Sequence, residues 1–267
     1  MRFTFALACT AILTAACGGD PLPPAPPVTM PEFSAITSAQ WEALAQRRVY
    51  FGHQSVGRNI VAGLDVVLAN NPQLGLRVVE GVPTDSAPGL YHQNVGQNRD
   101  IESKRRDFVA ATDSAAVDAA MLKFCYVDIN GDTDPDSLFA NYREWIDGVQ
   151  AKHPDMRIVH ATLPLTDLEG RREWLMGKIR RDATKRDLNY IRHRYNTLLR
   201  AEYAGKAPIF DIAALESTRD DGTRTTFRYK GEDVPFMNPA LTDDGGHLNL
   251  DGQRKVAERF LALLAAQ

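Results

Sequence analysis

Only three cysteines stand in the 267-residue chain, at positions 9, 17 and 125. Cys9 and Cys17 belong to an N-terminal leader, so Cys125 is the one thiol left in the remaining chain and a disulfide framework is excluded. An excess of one charge is also missing. The 31 basic and 34 acidic residues leave a net of −3, which supplies no global field to attract nucleic acid. No two histidines are spaced as metal ligands on one helix face, and the cysteines do not cluster, which speaks against a zinc centre. A glycine-rich phosphate loop is absent as well, and no cofactor is expected. With 44% hydrophobic and 24% charged residues, the composition nonetheless suits a folded α/β chain rather than a disordered one.

The N-terminus is the most biased part of the chain. One arginine at position 2 precedes an uncharged, mostly apolar run over residues 3–16, shorter than the roughly 20 apolar residues a bilayer span needs and suited to a secretory leader. It ends in Leu13-Thr14-Ala15-Ala16-Cys17, which is similar to a bacterial lipoprotein processing site with Cys17 as the lipidated residue, an ordinary cleaved signal with a chance cysteine being the plainer alternative. Six of the 15 prolines then fall within residues 18–31, a composition that extends as a semi-rigid tether. The expected organisation is a leader over 1–17, a tether over 18–34 and a single domain over 35–267, exported and held at a membrane only by its N-terminal lipid. Losing Arg2 with the leader makes the balance 30 against 34, a net of −4.

Beyond residue 35, strand-like apolar runs at 48–52, 76–80, 121–129, 157–163 and 207–212 alternate with helical periodicity, the pattern of a parallel α/β sheet. Ile60, Val61, Leu64, Val67 and Leu68 form one helical stripe; Val256, Ala257, Phe260, Leu261 and Leu264 form another. Further helices are expected over 99–111, 135–152 and 187–203. In such a sheet, functional groups gather where strands end and helices begin.

Ser55 lies at such a point, after the first strand and between Gly52 and Gly57. There a hydroxyl is exposed and the helix N-terminus offers N–H groups to a developing oxyanion, although an ordinary N-cap serine also fits. Asp244-x-x-His247 supplies a base and a carboxylate to orient it, ahead of the last helix; two turn-forming aspartates and a chance histidine are the plainer alternative. Cys125 reads as a buried small hydrophobe. His53 either donates beside Ser55 or packs over the first helical turn. His160 either lines the cleft or is a buried structural histidine.

Taken together, the serine after the first strand, the glycines and polar residues after the middle strands, and the Asp-x-x-His before the C-terminal helix make residues 45–267 resemble the SGNH (GDSL-like) hydrolases. That resemblance implies a flavodoxin-like three-layer α/β/α sandwich around a parallel sheet, no metal, and ester hydrolysis or acyl transfer. By it, Ser55 is the nucleophile, His247 the base and Asp244 its partner. It also implies oxyanion donors from the Ser55 N–H, from a glycine after the second strand (Gly96 first, Gly89 second) and from a side chain after the third. The chain departs from the family in two places. Gly52-His53-Gln54-Ser55 replaces Gly-Asp-Ser. The stretch Cys125-Tyr126-Val127-Asp128-Ile129-Asn130 replaces Gly-x-Asn-Asp. Because an ionised carboxylate only accepts, either Asn130 donates, or Asp128 is protonated, or the third donor is lost.

The stretch from Arg171 to Arg194 carries nine basic against three acidic residues, a net of +6. It is either a solvated face of mixed charge or a surface for an anionic polymer or lipid head groups, edged by Trp174, Leu175 and Met176. The function expected is cleavage of an ester, such as an O-acetyl group on an envelope glycan or a small lipid. An acyltransferase and a non-catalytic envelope-binding lipoprotein are the rivals.

Overall fold

A computed structural model describes residues 28–267; the leader, Cys17 and residues 18–27 of the expected tether lie outside the described residues. In chain order the elements are α1 (Ser38–Ala45), β1 (Arg48–His53), α2 (Val56–Asn70), β2 (Val78–Glu80), β3 (Gly89–Asn94), α3 (Ile101–Ser114), β4 (Ala119–Leu122), α4 (Pro135–Lys152), β5 (Arg157–Ile158), β6 (His160–Ala161), α5 (Arg171–Arg180), α6 (Lys185–Tyr203), β7 (Ile209–Phe210), α7 (Ile212–Ser217), β8 (Thr226–Tyr229), β9 (Glu232–Pro235) and α8 (Leu250–Ala265).

Five strands form a parallel sheet in the order β2-β3-β1-β4-β5. The sheet is then handed on, because the Val159 N–H donates to Ala120 while the next one, of His160, donates to Pro208 beside β7. The single strand expected over 157–163 is therefore two short ones that pair on opposite sides. Alternation along the strands divides the core. Val49, Phe51, Ala119 and Met121 join the side chains of α2 and α8 on one face. Tyr50, Ala120 and Leu122 join those of α3, α4 and α6 on the other. This is a three-layer α/β/α sandwich, as the period-2 side-chain geometry of a sheet buried on both faces requires.

The third expected strand, over 121–129, ends early at Leu122, since the Asp128 carboxylate caps the Cys125 N–H and turns Tyr126–Asp128 into a single tight helical turn. Two strand regions were not legible as apolar runs. β3 is polar over its second half, and the β8–β9 hairpin turns through Lys230 and Gly231, both at positive φ. Residues 28–33, expected as tether, lie against the domain. Arg259 donates to the carbonyls of Met30 and Pro31, and Phe33 packs on Trp41 with ring centroids 4.9 Å apart. Among the described residues, the two clusters cover both faces of the sheet and give this segment a hydrophobic core.

Helices α2 and α8 pack against one another, and Gly63 stands where a Cβ would fall on the Gln253 carbonyl oxygen in the first turn of α8. Gly63→Ala is therefore expected to force the two helices apart and cost about 1–3 kcal/mol through overpacking. Urea unfolding monitored by circular dichroism checks this; a midpoint equal to wild type would mean that the contact does not govern the packing.

Candidate active site

β1 runs straight into α2 through Gln54 and Ser55. Ser55 adopts φ 43° and ψ −102°, outside the regions ordinary side chains favour, and makes no side-chain cap bond to the helix. Such backbone strain costs about 1–3 kcal/mol and persists where neighbours enforce it. The enforcement is visible. The Gln54 amide donates to the carbonyls of Val95 and Gly96 at 3.2 and 2.8 Å, and the Arg58 N–H takes the Ser55 carbonyl at 2.7 Å. The ordinary N-cap reading of Ser55 is therefore not what its side chain does. Its Oγ lies 2.5 Å from His247 Nε2, across 192 positions of sequence.

His247 Nδ1 is 2.7 Å from Asp244 Oδ2. A carboxylate accepts only, so Nδ1 bears the proton and the bare Nε2 accepts from the serine hydroxyl. Asp244 itself is held by the backbone N–H groups of His247 and Gly246 at 2.7 and 2.9 Å through its other oxygen. Those bonds, the His247 backbone first, keep its carboxyl well below the usual carboxylate range although it is largely exposed. The two glycines that made this loop possible have separate reasons. Gly245 is at φ 83° and leaves no room for a Cβ against the Asp167 carboxylate; a Cβ on Gly246 would stand 2.8 Å from the Tyr126 hydroxyl.

The loop is braced from two sides. Leu248 N–H reaches Asn59 Oδ1 on α2 at 3.4 Å. Asp167 N–H donates to the Gly245 carbonyl at 2.9 Å, and its side chain pairs with Lys185 at the start of α6. Asp167 and Tyr126 are the residues that sequence reasoning missed. Tyr126 meets His247 edge to face with centroids 5.7 Å apart, and its hydroxyl has no hydrogen bond among the described residues. Burial, then Cys125 and Asp244, raises its pKa, so it is a neutral donor. An aromatic residue four positions after β4 was the one signal that could have drawn attention to it. Beneath lies a fully buried carboxyl, Glu216, which accepts from Leu165 N–H at 2.6 Å and is pushed up to about 8 by desolvation.

The remaining expected site residues have other occupations. Gly96 is beside Ser55, but its N–H donates to Asp107 Oδ2 at 2.8 Å, so it is not free for an oxyanion. Gly89 begins β3, where its N–H is taken by the Arg47 carbonyl. Asp128 is turned into the protein interior. Its oxygens take Lys104 Nζ at 2.6 and 2.7 Å, Cys125 N–H and Arg99 N–H, with both charged side chains fully buried. In all of these bonds its oxygens act as acceptors. Asn130 is exposed and closes a local turn with Asp132 and Thr133. Asp128 is therefore not the third-strand side-chain donor expected from the resemblance, and Asn130 is tied into its own turn through its carbonyl oxygen.

His53 packs over the first turn of α2, where Gly57 has no room for a Cβ against its ring, and its Nε2 meets His92 Nδ1 at 3.1 Å. Desolvation, with the neighbouring His92 and Lys123, lowers its pKa to about 3, so it is neutral. His160 is buried between Tyr142, 2.8 Å from its Nδ1, and the stacked ring of Tyr203, in the layer of α4 and α6 rather than the cleft. Cys125 is buried. Among the described residues, no group of three or more His, Cys, Asp or Glu is placed to hold a metal ion.

No protein-family model matches the chain, and no curated protein matches it. Among solved structures, it is similar to the lipase/acylhydrolase from Enterococcus faecalis at 12% identity, over 82% of this chain and 96% of that one, with a TM-score of 0.47. A protein from Parabacteroides merdae, described by inference as a GDSL-like lipase, is similar at 13% identity over 83% and 97% with a TM-score of 0.48. A Bacteroides fragilis protein, described by inference as an acylhydrolase, follows at 16% over 83% and 89%, TM-score 0.47. At such identities and scores, roles at the site rest on the bonds described above.

The buried Lys104–Asp128 pair generates a stability prediction. Lys104→Met leaves the Asp128 charge buried without its cation, which is expected to cost about 3–5 kcal/mol. Chemical denaturation of the variant beside wild type measures it, and a loss below about 1 kcal/mol would mean that water reaches Asp128 in the folded state.

Proposed function

We propose that the chain is a divergent SGNH-type serine hydrolase that cleaves an ester through Ser55, His247 and Asp244. The single observation that carries this reading is a serine held at φ 43° on a strand-to-helix turn, with no cap bond and with Oγ 2.5 Å from an imidazole whose other nitrogen is held by a carboxylate. A strained turn of this kind exposes a nucleophile at the sheet edge beside a helix N-terminus.

In the proposed reaction, Ser55 Oγ attacks the acyl carbon while its proton passes to His247 Nε2. The resulting imidazolium is stabilised by ionised Asp244. Negative charge on the carbonyl oxygen is met by the Ser55 N–H, which has no acceptor among the described residues, and by the Tyr126 hydroxyl. Collapse expels the alcohol, which takes the proton from His247. Water, deprotonated by the same imidazole, then attacks the acyl-serine and releases the acid.

The substrate class proposed is an O-acetyl or similar small acyl ester on an envelope glycan or small lipid, with transfer to a sugar hydroxyl as the nearest variation. Export with a lipid on Cys17 belongs to the same proposal. No helix among the described residues is long and apolar enough to cross a membrane.

Residues 28–267, assayed with a chromogenic acetyl ester, are expected to lose at least about 10⁴-fold in kcat with Ser55→Ala or His247→Ala, and no more than about 10⁴-fold with Asp244→Asn. A wild type no faster than Ser55→Ala would leave the non-catalytic binding reading in its place. Acetate appearing on an added glycan in preference to free acetate would make the chain a transferase. For the anchor, full-length protein expressed in a bacterial host should stay with salt-washed membranes, and Cys17→Ala should release it; equal retention of both would refute lipidation at Cys17.

A further inference from the structure

The basic stretch 171–194 does not act as one surface. Lys178 pairs with Asp187, Lys185 with Asp167 and Arg186 with Glu169, while Arg192 is buried. Arg171, Arg172, Arg180 and Arg181, by contrast, have no ion pair among the described residues, and the first three of them lie within α5. No residue of α5 is buried. Three of the chain's exposed large hydrophobic side chains stand on this one ten-residue helix: Leu175 is 52% exposed, Met176 39% and Ile179 66%.

Their arrangement follows from helix geometry. At about 100° per residue, Leu175, Ile179 and Met176 occupy an outward arc of about 100°, with Arg172 inside it and Arg171 and Arg180 about 40° beyond its two edges. Trp174, Gly177 and Lys178 fall on the opposite side, and it is there that the helix meets the domain. Trp174 is half-buried against Arg186, with the guanidinium 5.7 Å from the ring, and Gly177 closes on Thr184. The outer face thus has an apolar strip with unpaired guanidinium groups at its borders. Arginines lay their stems along such a strip and carry their charge outward to anionic groups.

We propose that the outer face of α5 is an interfacial docking surface for an anionic bilayer, with Leu175, Met176 and Ile179 entering the boundary of head groups and acyl chains and Arg171, Arg172 and Arg180 binding lipid phosphates. The apolar strip decides for a bilayer over an anionic polymer, which offers nothing to receive it. α5 joins the segments that hold the His247 loop, because Asp167 stands four residues before it and Lys185 five residues after it. Docking through α5 therefore fixes the side of the domain on which the Ser55 cleft meets the membrane. A lipid on Cys17, eleven positions ahead of Val28, would allow the approach, with a reach of about 40 Å at full extension; that clause rests on the proposed export, and the vesicle measurement below does not.

Residues 28–267 would be co-sedimented with vesicles of equal parts phosphatidylglycerol and phosphatidylcholine, and with phosphatidylcholine alone. Preference for the anionic vesicles, falling as salt rises, is expected. Each neutralised arginine should weaken binding about fivefold, so Arg171→Gln, Arg172→Gln and Arg180→Gln together should weaken it about a hundredfold. Leu175→Asn with Ile179→Asn should also reduce binding by about tenfold or more. Turnover of a water-soluble acetyl ester and the thermal midpoint, read on the same proteins, should be unchanged, because the face has no buried residue. Equal binding to both vesicles, or anionic binding unaffected by the Leu175 and Ile179 changes, would overturn the proposal, the latter in favour of a polyanion surface. A dimer in light scattering that these two changes dissolve would also overturn it and make the face a contact between copies of the chain. A silent esterase that still binds anionic vesicles would sink only the catalytic reading.

Discussion

The site depends on the packing of α2 against α8. Ser55 stands at the N-cap position of the first of these helices and His247 lies three residues before the second, so the crossing of the two bears on the distance between hydroxyl and imidazole. Gly63 permits that crossing, since any side chain there would meet the Gln253 carbonyl. The Asn59 contact to Leu248 N–H then fixes the loop relative to the same helix. Two residues 192 positions apart are in this way held at 2.5 Å by contacts made mostly of apolar side chains. The pairing is directed by shape, because the hydrophobic effect that drives it is itself non-directional.

Around that pair, polar groups are arranged by what each can donate. Asp244 is tied by two backbone N–H groups and is left with one oxygen for His247. Asp128 spends its acceptors on Lys104, Cys125 and Arg99, and so turns the chain out of the sheet after Leu122. This turn brings Tyr126 to the edge of His247. A buried ion pair thus holds the backbone that carries Tyr126.

Much of the fold was legible because it rests on periodicity. The stripes at Ile60–Leu68 and Val256–Leu264 lie within α2 and α8 as expected, and α4 spans the expected 135–152. β1 was equally plain, being a continuous apolar run. What escaped were elements whose stability comes from partners rather than from their own pattern. β3 buries Gly89, Leu90 and Tyr91 only because it inserts between β1 and β2. The β8–β9 hairpin has alternating polar residues around a Lys230-Gly231 turn, and α5 meets the domain through Trp174 and Gly177 while its apolar strip faces outward.

At the site the same division holds. Asp244-x-x-His247 is a local motif: four residues with two glycines let the carboxylate turn onto the imidazole, so the pairing was open to a sequence reading beside that of a plain turn. A serine after the first strand was equally readable. Which glycine N–H is engaged, which carboxylate is buried and which tyrosine approaches His247 were decided only by tertiary structure. Each of those outcomes depends on a distant acceptor or donor, Asp107 for Gly96 and Lys104 for Asp128. A hydrogen-bonding group can satisfy only a few partners, and the competition among them is settled where the chain has already folded.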